Sequence, residues 1–211
     1  MAGMATATRL ALHGYDVKVY EKNSGPGGKL TAFVKDNYRF DAGPSLFTQP
    51  ENIIELFALA NEPIENYFSY KPIQIACKYF FENGKIINAY TDANLFATEL
   101  KTQLGENPES VIGYLKNAEK LYENIGILFL NNSLHKAKTW LNKGLSKALQ
   151  TLKPGYLFTS LNRHNCKQFK AAETVQIFNR FATYNGSNPY KAPSMLSVIP
   201  HLEQNQGTYY P

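Results

Sequence analysis

The stretch VKVYEKNSGPGGKL, residues 17–30, decides how the rest of the chain is read. A short apolar run, Val17, Val19 and Tyr20, stops on one acid, Glu21. A loop follows in which Gly25, Gly27 and Gly28 surround Pro26. The run predicts a strand over 16–21. Ahead of it, GMATATRLALHG (3–14) predicts a helix, because alanine and leucine dominate and Gly14 stands where a helix ends on a left-handed residue. A helix opening at a glycine, a tight turn, and a strand ending on an acid are consecutive parts of a dinucleotide-binding fold. There the pyrophosphate meets backbone N–H groups at the helix start and the acid takes the ribose hydroxyls. A glycine at position 3 is also an ordinary helix-starting residue. The weight comes from Gly3, Glu21 and the glycine loop together.

Composition sets the limits of this reading. The 211 residues are 44% hydrophobic and 18% charged, a globular balance with material for a core. The net charge of +5 suits a solvated surface, an anionic membrane surface or a polyanionic cofactor. No run of Lys and Arg argues for nucleic acid. Cys77 and Cys166 are far apart and belong to no CxxC motif, which points to a reducing cytoplasm. His13, His135 and His164 lack ligand-like spacing, so no metal is expected. No apolar stretch of about 20 residues predicts a membrane-spanning helix.

Further along, LTAFVKDNYRFDAGP (30–44) predicts two short strands about the turn Asp36-Asn37. PENIIELFALAN (50–61) predicts a helix, and IQIACKYFFENGKIINAYT (73–91) a hairpin turning through Glu82-Asn83-Gly84. Helices are expected over 92–105 from an Asp92 cap, over 107–130 from Asn107-Pro108, and over 134–151, 162–169 and 171–183. The remaining tail is rich in turn residues. The expected class is α/β: a nucleotide-binding portion, 1–70, and a substrate portion, 71–211, mostly helical with the β-hairpin at 73–90.

Three segments carry a family resemblance: ATRLALHGYDVKVYEKNSGPGGKL, YRFDAGPSLFTQP and RFATYNGSNPYKAPSMLSVIPHLE. They resemble the bacterial phytoene desaturase family of FAD-dependent carotenoid desaturases, in register along the whole chain. FDAGPSLFT with CKYFFENGKIINAY is most similar to hydroxycarotenoid 3,4-desaturases of the CrtD type, with phytoene desaturases proper as the other subtype. The resemblance implies an amine-oxidase-like flavoprotein with a Rossmann-like FAD portion. It also implies a carotenoid substrate, stepwise dehydrogenation of a polyene, and a cytoplasmic protein docked peripherally on a membrane.

Carried over by position, Gly3 matches the last glycine of the first FAD motif and Glu21 the ribose-binding acid. Gly27, Gly28 and Lys29 match a second FAD loop. Asp41, Gly43 and Pro44 match a D-x-G-P segment near the flavin, although the same four residues would also make a plain tight turn. His201 and Glu203 are the acid/base candidates, and structural hydrogen bonding is the alternative role for both. Family members are about twice this length, and the first strand and first two motif glycines have no counterpart here. A fragment, inactive alone and weak in holding FAD, is therefore the expectation. Rival readings are another amine-oxidase-like flavoenzyme, a carotenoid isomerase, or a non-catalytic fragment without flavin. A simple NAD dehydrogenase has no use for the second glycine turn.

Overall fold

The structure, a computed structural model, describes residues 1–44, 46–126, 135–136, 151 and 154–211. The chain divides into two compact units, Met1–Ile73 with Thr208–Pro211, and Gln74–Gly207. The sequence-based division near residue 70 did not place the last four residues with the first portion.

The first unit begins with α1, Ala2–Leu12, closed by Gly14 at φ 84°. The segment expected as a strand over 16–21 forms no regular element and belongs to no sheet. A strand needs a neighbour to take its backbone N–H and C=O groups, and among the described residues none lies beside it. Every described sheet is a two-stranded antiparallel pair, so the parallel strand expected to end at Glu21 is not formed. The hairpin of β1, Ala32–Lys35, and β2, Tyr38–Asp41, does form, with Lys35 opposite Tyr38. Asp36 and Asn37 turn it with φ of 49° and 65°, the doubly left-handed geometry of a two-residue hairpin that suits Asp and Asn. Helix α2, Glu51–Leu59, ties to α1 through the exposed pair Arg9–Glu55 at 3.1 Å. The short strand β3, Lys71–Pro72, pairs with residues 209–210 at the end of the chain, a pairing that the turn-rich tail did not suggest. Phe47, Phe68, Tyr70 and Tyr209 make edge-to-face contacts there, with ring centroids 5.3–6.4 Å apart.

The second unit has a conventional core. Strands β4, Ile75–Phe80, and β5, Ile86–Tyr90, turn through Gly84 at φ 79°. Helix α3, Ala93–Leu104, starts where the Asp92 carboxylate accepts the N–H groups of Asn94 and Leu95, and stops at Gly105. Helix α4, Pro108–Leu121, starts on an Asn107 cap and runs into a π-helical turn, Tyr122–Gly126. The expected helix over 107–130 thus changes form at residue 122, and its last four residues lie outside the described ones. The expected helix over 134–151 also falls almost entirely outside them.

Helices α5, Pro154–Phe158, α6, Leu161–Gln168, and α7, Ala172–Asn179, follow. A 3-10 segment, Arg180–Asn185, takes over where α7 was expected to continue. A second 3-10 segment, Ser194–Val198, leads into α8, Pro200–Gln204. The final strand, β6, is Tyr209–Tyr210. Ile87, Phe96, Leu100, Val111, Leu115 and Phe178 are wholly or almost wholly buried, and Phe169 stacks on Phe178 at 4.4 Å. Glu106, itself buried, accepts the N–H groups of Lys170 and Ala171 at the start of α7, where a negative charge is favoured.

Candidate functional site

The residues singled out in the first unit fall into two groups. Gly27, Gly28, Lys29, Asp41, Gly43 and Pro44 belong to segments that touch. Gly27 at φ 127° and Gly28 at φ 65° turn the loop in backbone conformations that favour glycine. Gly43 lies directly against that loop: a Cβ added to it would sit 1.9 Å from the Lys29 carbonyl oxygen. No side chain fits there, so the family-like D-x-G-P segment and the glycine loop pass backbone against backbone. The Ala42 N–H donates to the Thr31 carbonyl at 2.9 Å and fixes their register.

Beside this crossing is a mostly apolar cavity of about 340 Å³, lined by Leu30, Leu46, Phe47, Ile53 and Phe68 together with Asp41 and Pro44. Met1, at the start of α1, also lines it. Asp41 pairs with Arg39 at 2.9 Å and accepts from the Tyr210 hydroxyl at 3.2 Å. The Tyr210 hydroxyl and then the Asp41 charge raise the Arg39 pKa, so it is a permanent cation in the cavity lining. Arg39 and Tyr210 were missed by sequence reasoning. Arg39 lay inside a quoted motif, but Tyr210 is 171 positions away from it in sequence and gave no local signal.

Gly3 and Glu21 make up the other group. Gly3 is in the first turn of α1, where N–H groups have no partner within the helix and Met1 supplies no side-chain cap. Glu21 is exposed, and its Oε1 accepts from the Asn23 backbone N–H at 2.9 Å and from Asn23 Nδ2 at 2.8 Å. Its Oε2 takes no hydrogen bond among the described residues. The ammonium of Lys29 forms no ion pair among the described residues and is exposed.

The acid/base candidates lie in the second unit, on α8. Glu203 is fully buried and pairs with Arg180 at 2.5 Å. It also accepts from the Tyr184 hydroxyl. Arg180 donates through Nε to the Tyr79 hydroxyl at 2.5 Å and lies over the Phe181 ring at 4.7 Å. Burial pulls the Arg180 pKa down, but Tyr79 and Glu203 outweigh it and the net shift is upward. Burial pushes the phenols of Tyr79 and Tyr184 up. Both oxygens of Glu203 are therefore engaged by groups that hold their protons. His201 packs on the Tyr122 ring at 4.9 Å, with Nδ1 2.9 Å from Asn205 Nδ2, and burial lowers its pKa.

Residues 1–207 match the family described as flavin containing amine oxidoreductase, and the chain belongs to that family. FAD is the cofactor that membership implies. Among similar curated proteins is the 1-hydroxycarotenoid 3,4-desaturase of Flavobacterium sp. (strain P99-3), 43% identical over the whole of this chain and 43% of the relative. Another is the 4,4'-diaponeurosporene oxygenase of Staphylococcus haemolyticus (strain JCSC1435), 26% identical over the whole chain and 41% of the relative. The 4,4'-diapophytoene desaturase (4,4'-diaponeurosporene-forming) of the same organism is 27% identical, again over the whole chain and 41% of the relative. The chain thus spans about two fifths of the length of these relatives. Among the described residues no helix is long and apolar enough to cross a membrane.

The residues present fit an FAD. The crossing at Gly43 keeps side chains away from the glycine loop. Lys29 offers a cation for phosphate, Glu21 Oε2 an acceptor for a hydroxyl, and the cavity an apolar wall.

Proposed function

We propose that this chain is part of an FAD-dependent carotenoid desaturase that dehydrogenates C–C bonds of a polyene, of the hydroxycarotenoid 3,4-desaturase type. The observation that carries the reading is the backbone crossing of the Gly27-Gly28 loop with Gly43, beside an apolar cavity, in a member of a flavin-containing family. The 43% identity with a 1-hydroxycarotenoid 3,4-desaturase supports the substrate class.

In this proposal the first unit is the Rossmann-like FAD portion. The N-terminal turn of α1 at Gly3 and the Lys29 ammonium face phosphate, Glu21 takes ribose hydroxyls, and Asp41, Gly43 and Pro44 border the ring system. A bound flavin supplies a two-electron acceptor for hydrogen removed from the substrate. The chain's own part is to hold the cofactor, exclude water with the Leu30, Phe47 and Phe68 wall, and orient the polyene. The second unit, Gln74–Gly207, is proposed to be the substrate portion, reached from a membrane surface in which carotenoids dissolve. His201 and Glu203 remain acid/base candidates by position, and the partners of Glu203 favour a structural role for it.

The test is flavin retention in the holoenzyme. Gly43→Ala forces the 29–30 backbone aside and is expected to weaken FAD binding by tenfold or more, or about 1.4 kcal/mol. Glu21→Ala removes charge-assisted hydrogen bonds, a loss of roughly 1.5–3 kcal/mol. If both variants keep the wild-type flavin content and affinity, the cofactor site lies elsewhere.

A further inference from the structure

The charge of the chain is unevenly placed. No Asp or Glu occurs between Glu123 and Glu173, and after Glu173 the only acid is Glu203. Lys and Arg recur throughout, so the net charge of +5 comes wholly from residues 124–211, and the residues before them hold more acids than bases. Both acids in 124–211 are already neutralised. Glu173 pairs with Lys85 at 3.2 Å, and Glu203 is fully buried against Arg180. Arg163, Lys167 and Lys191 are exposed and form no ion pair among the described residues.

Local structure gathers these cations around an apolar tip. In α5 the half-buried Tyr156 packs on the buried pair Leu121 and Ile125, which turns the next two residues outward. Leu157 is 49% exposed and Phe158 86%. The segment that follows is stitched to the turn at 188–193: the Leu161 N–H donates to the Ala192 carbonyl at 2.9 Å and the Asn162 N–H to the Pro189 carbonyl at 3.0 Å. Lys191 and the exposed Tyr190 are thereby held beside the start of α6. Arg163 and Lys167 are four residues apart on α6 and share a face, and Lys167 borders the same cleft as Gly155 and Thr159 of the α5 turn.

A single exposed apolar side chain is ordinary. Two in succession, set among unpaired cations and no free acid, ask for a partner that is apolar and anionic together. A bilayer with anionic headgroups is such a partner. Its phosphates answer Arg163, Lys167 and Lys191, and its acyl boundary takes Leu157 and Phe158, with Tyr190 suited to the headgroup level. A nucleic acid would match the cations and leave the aliphatic Leu157 beside a charged backbone.

We propose that the α5 tip, Leu157 and Phe158, with Arg163, Lys167 and Lys191 around it, is a docking surface for anionic lipid. The proposal rests on the functional reading only for the reason that a bilayer is at hand, and it gives that contact a place on the second unit and a lipid class.

The experiment is flotation of the 211-residue chain with vesicles of phosphatidylcholine alone or mixed with phosphatidylglycerol. It needs neither flavin nor polyene, so its failure leaves the desaturase reading standing. The chain is expected to float with the mixed vesicles, far less with the neutral ones, and to be released as salt is raised. The triple variant Arg163→Gln, Lys167→Gln, Lys191→Gln is expected to lose about fivefold in affinity for each cation removed, and Phe158→Ser about tenfold. All four side chains are exposed, so melting temperatures are expected to stay at the wild-type value, and Phe158→Leu should restore most of the binding that Phe158→Ser loses. Equal flotation with both vesicle types, or with neither, would overturn the proposal. Anionic binding unchanged in both variants would place the contact elsewhere and overturn it too. DNA duplex binding as tight as that of the mixed vesicles, with Phe158→Ser without effect on either, would make the face a general polyanion site and overturn the lipid assignment.

Discussion

The two units are held together by different means. Among the described residues of Gln74–Gly207, twenty hydrophobic ones are buried, among them Phe96, Leu100, Phe178 and Phe181 at no more than 1% exposure. In Met1–Ile73 with Thr208–Pro211 no hydrophobic side chain reaches that state, and among the described residues only Pro50 and Thr208 are buried. Val34 is 70% exposed and Tyr38 71%, on a hairpin that is exposed at every position. The first unit takes its form from backbone: two left-handed turn residues at 36–37, a glycine loop, and the steric fit of Gly43 under Lys29. The second takes its form from packing. Backbone-written segments suit a site where a cofactor approaches the main chain. A packed, mostly helical unit suits a rigid seat for a long apolar substrate.

The contrast is sharpest in core truncation. Phe178→Ala removes a ring that touches Phe96, Phe169, Tyr114 and Phe181, and is expected to cost about 3–5 kcal/mol. Phe33→Ala removes a ring that is 52% exposed and stacked only on Phe40, and is expected to cost less than about 1 kcal/mol. Denaturant unfolding measures both, and equal losses would break the comparison. A smaller effect is expected from Arg180→Met, which takes the positive charge from beside the fully buried Glu203 carboxylate. Breaking such a pair from one side costs about 3 kcal/mol, at the low end here because Arg180 is itself part-exposed. An Arg180→Met chain that melts like the wild type would show that the Tyr79–Arg180–Glu203–Tyr184 cluster is not structural.

The smallest effect is a pH dependence confined to the second unit. Burial lowers the pKa of His164 and of His201. Both are held neutral in the fold, whereas the unfolded chain protonates them near the ordinary value of 6.5. The unfolded state then binds more protons, so stability is fully present above pH 6.5 and falls as the pH drops below it. Melting temperatures taken from pH 7.5 down to 5.5 are expected to decline, and the double variant His164→Gln with His201→Gln should flatten the decline. A decline unaffected by that pair would assign the acid sensitivity to other groups.

Much of this architecture was legible in local chemistry. Asp36-Asn37, Asp92 and Asn107-Pro108 each act within a few residues, and each does in the structure what its type requires. The glycine loop and D-x-G-P were singled out as candidate site segments, but their contact through Gly43 depends on the tertiary fold and leaves no trace in spacing. The strand expected over 16–21 failed for a related reason: a strand exists only with its neighbour, and alternation along one segment says nothing of where the neighbour is. The pairing of Lys71–Pro72 with Tyr209–Tyr210 and the Arg180–Glu203 cluster were illegible on the same ground, since their partners are far apart in sequence.

Amide hydrogen exchange on the 211-residue chain without flavin tests the difference between the units most directly. The account predicts slow exchange in α3, α4 and α7, whose inner faces are buried, and rapid exchange in 15–23 and across the β1–β2 hairpin, whose backbone is shielded by no core. Comparable protection of the β1–β2 hairpin and of α4 would contradict it.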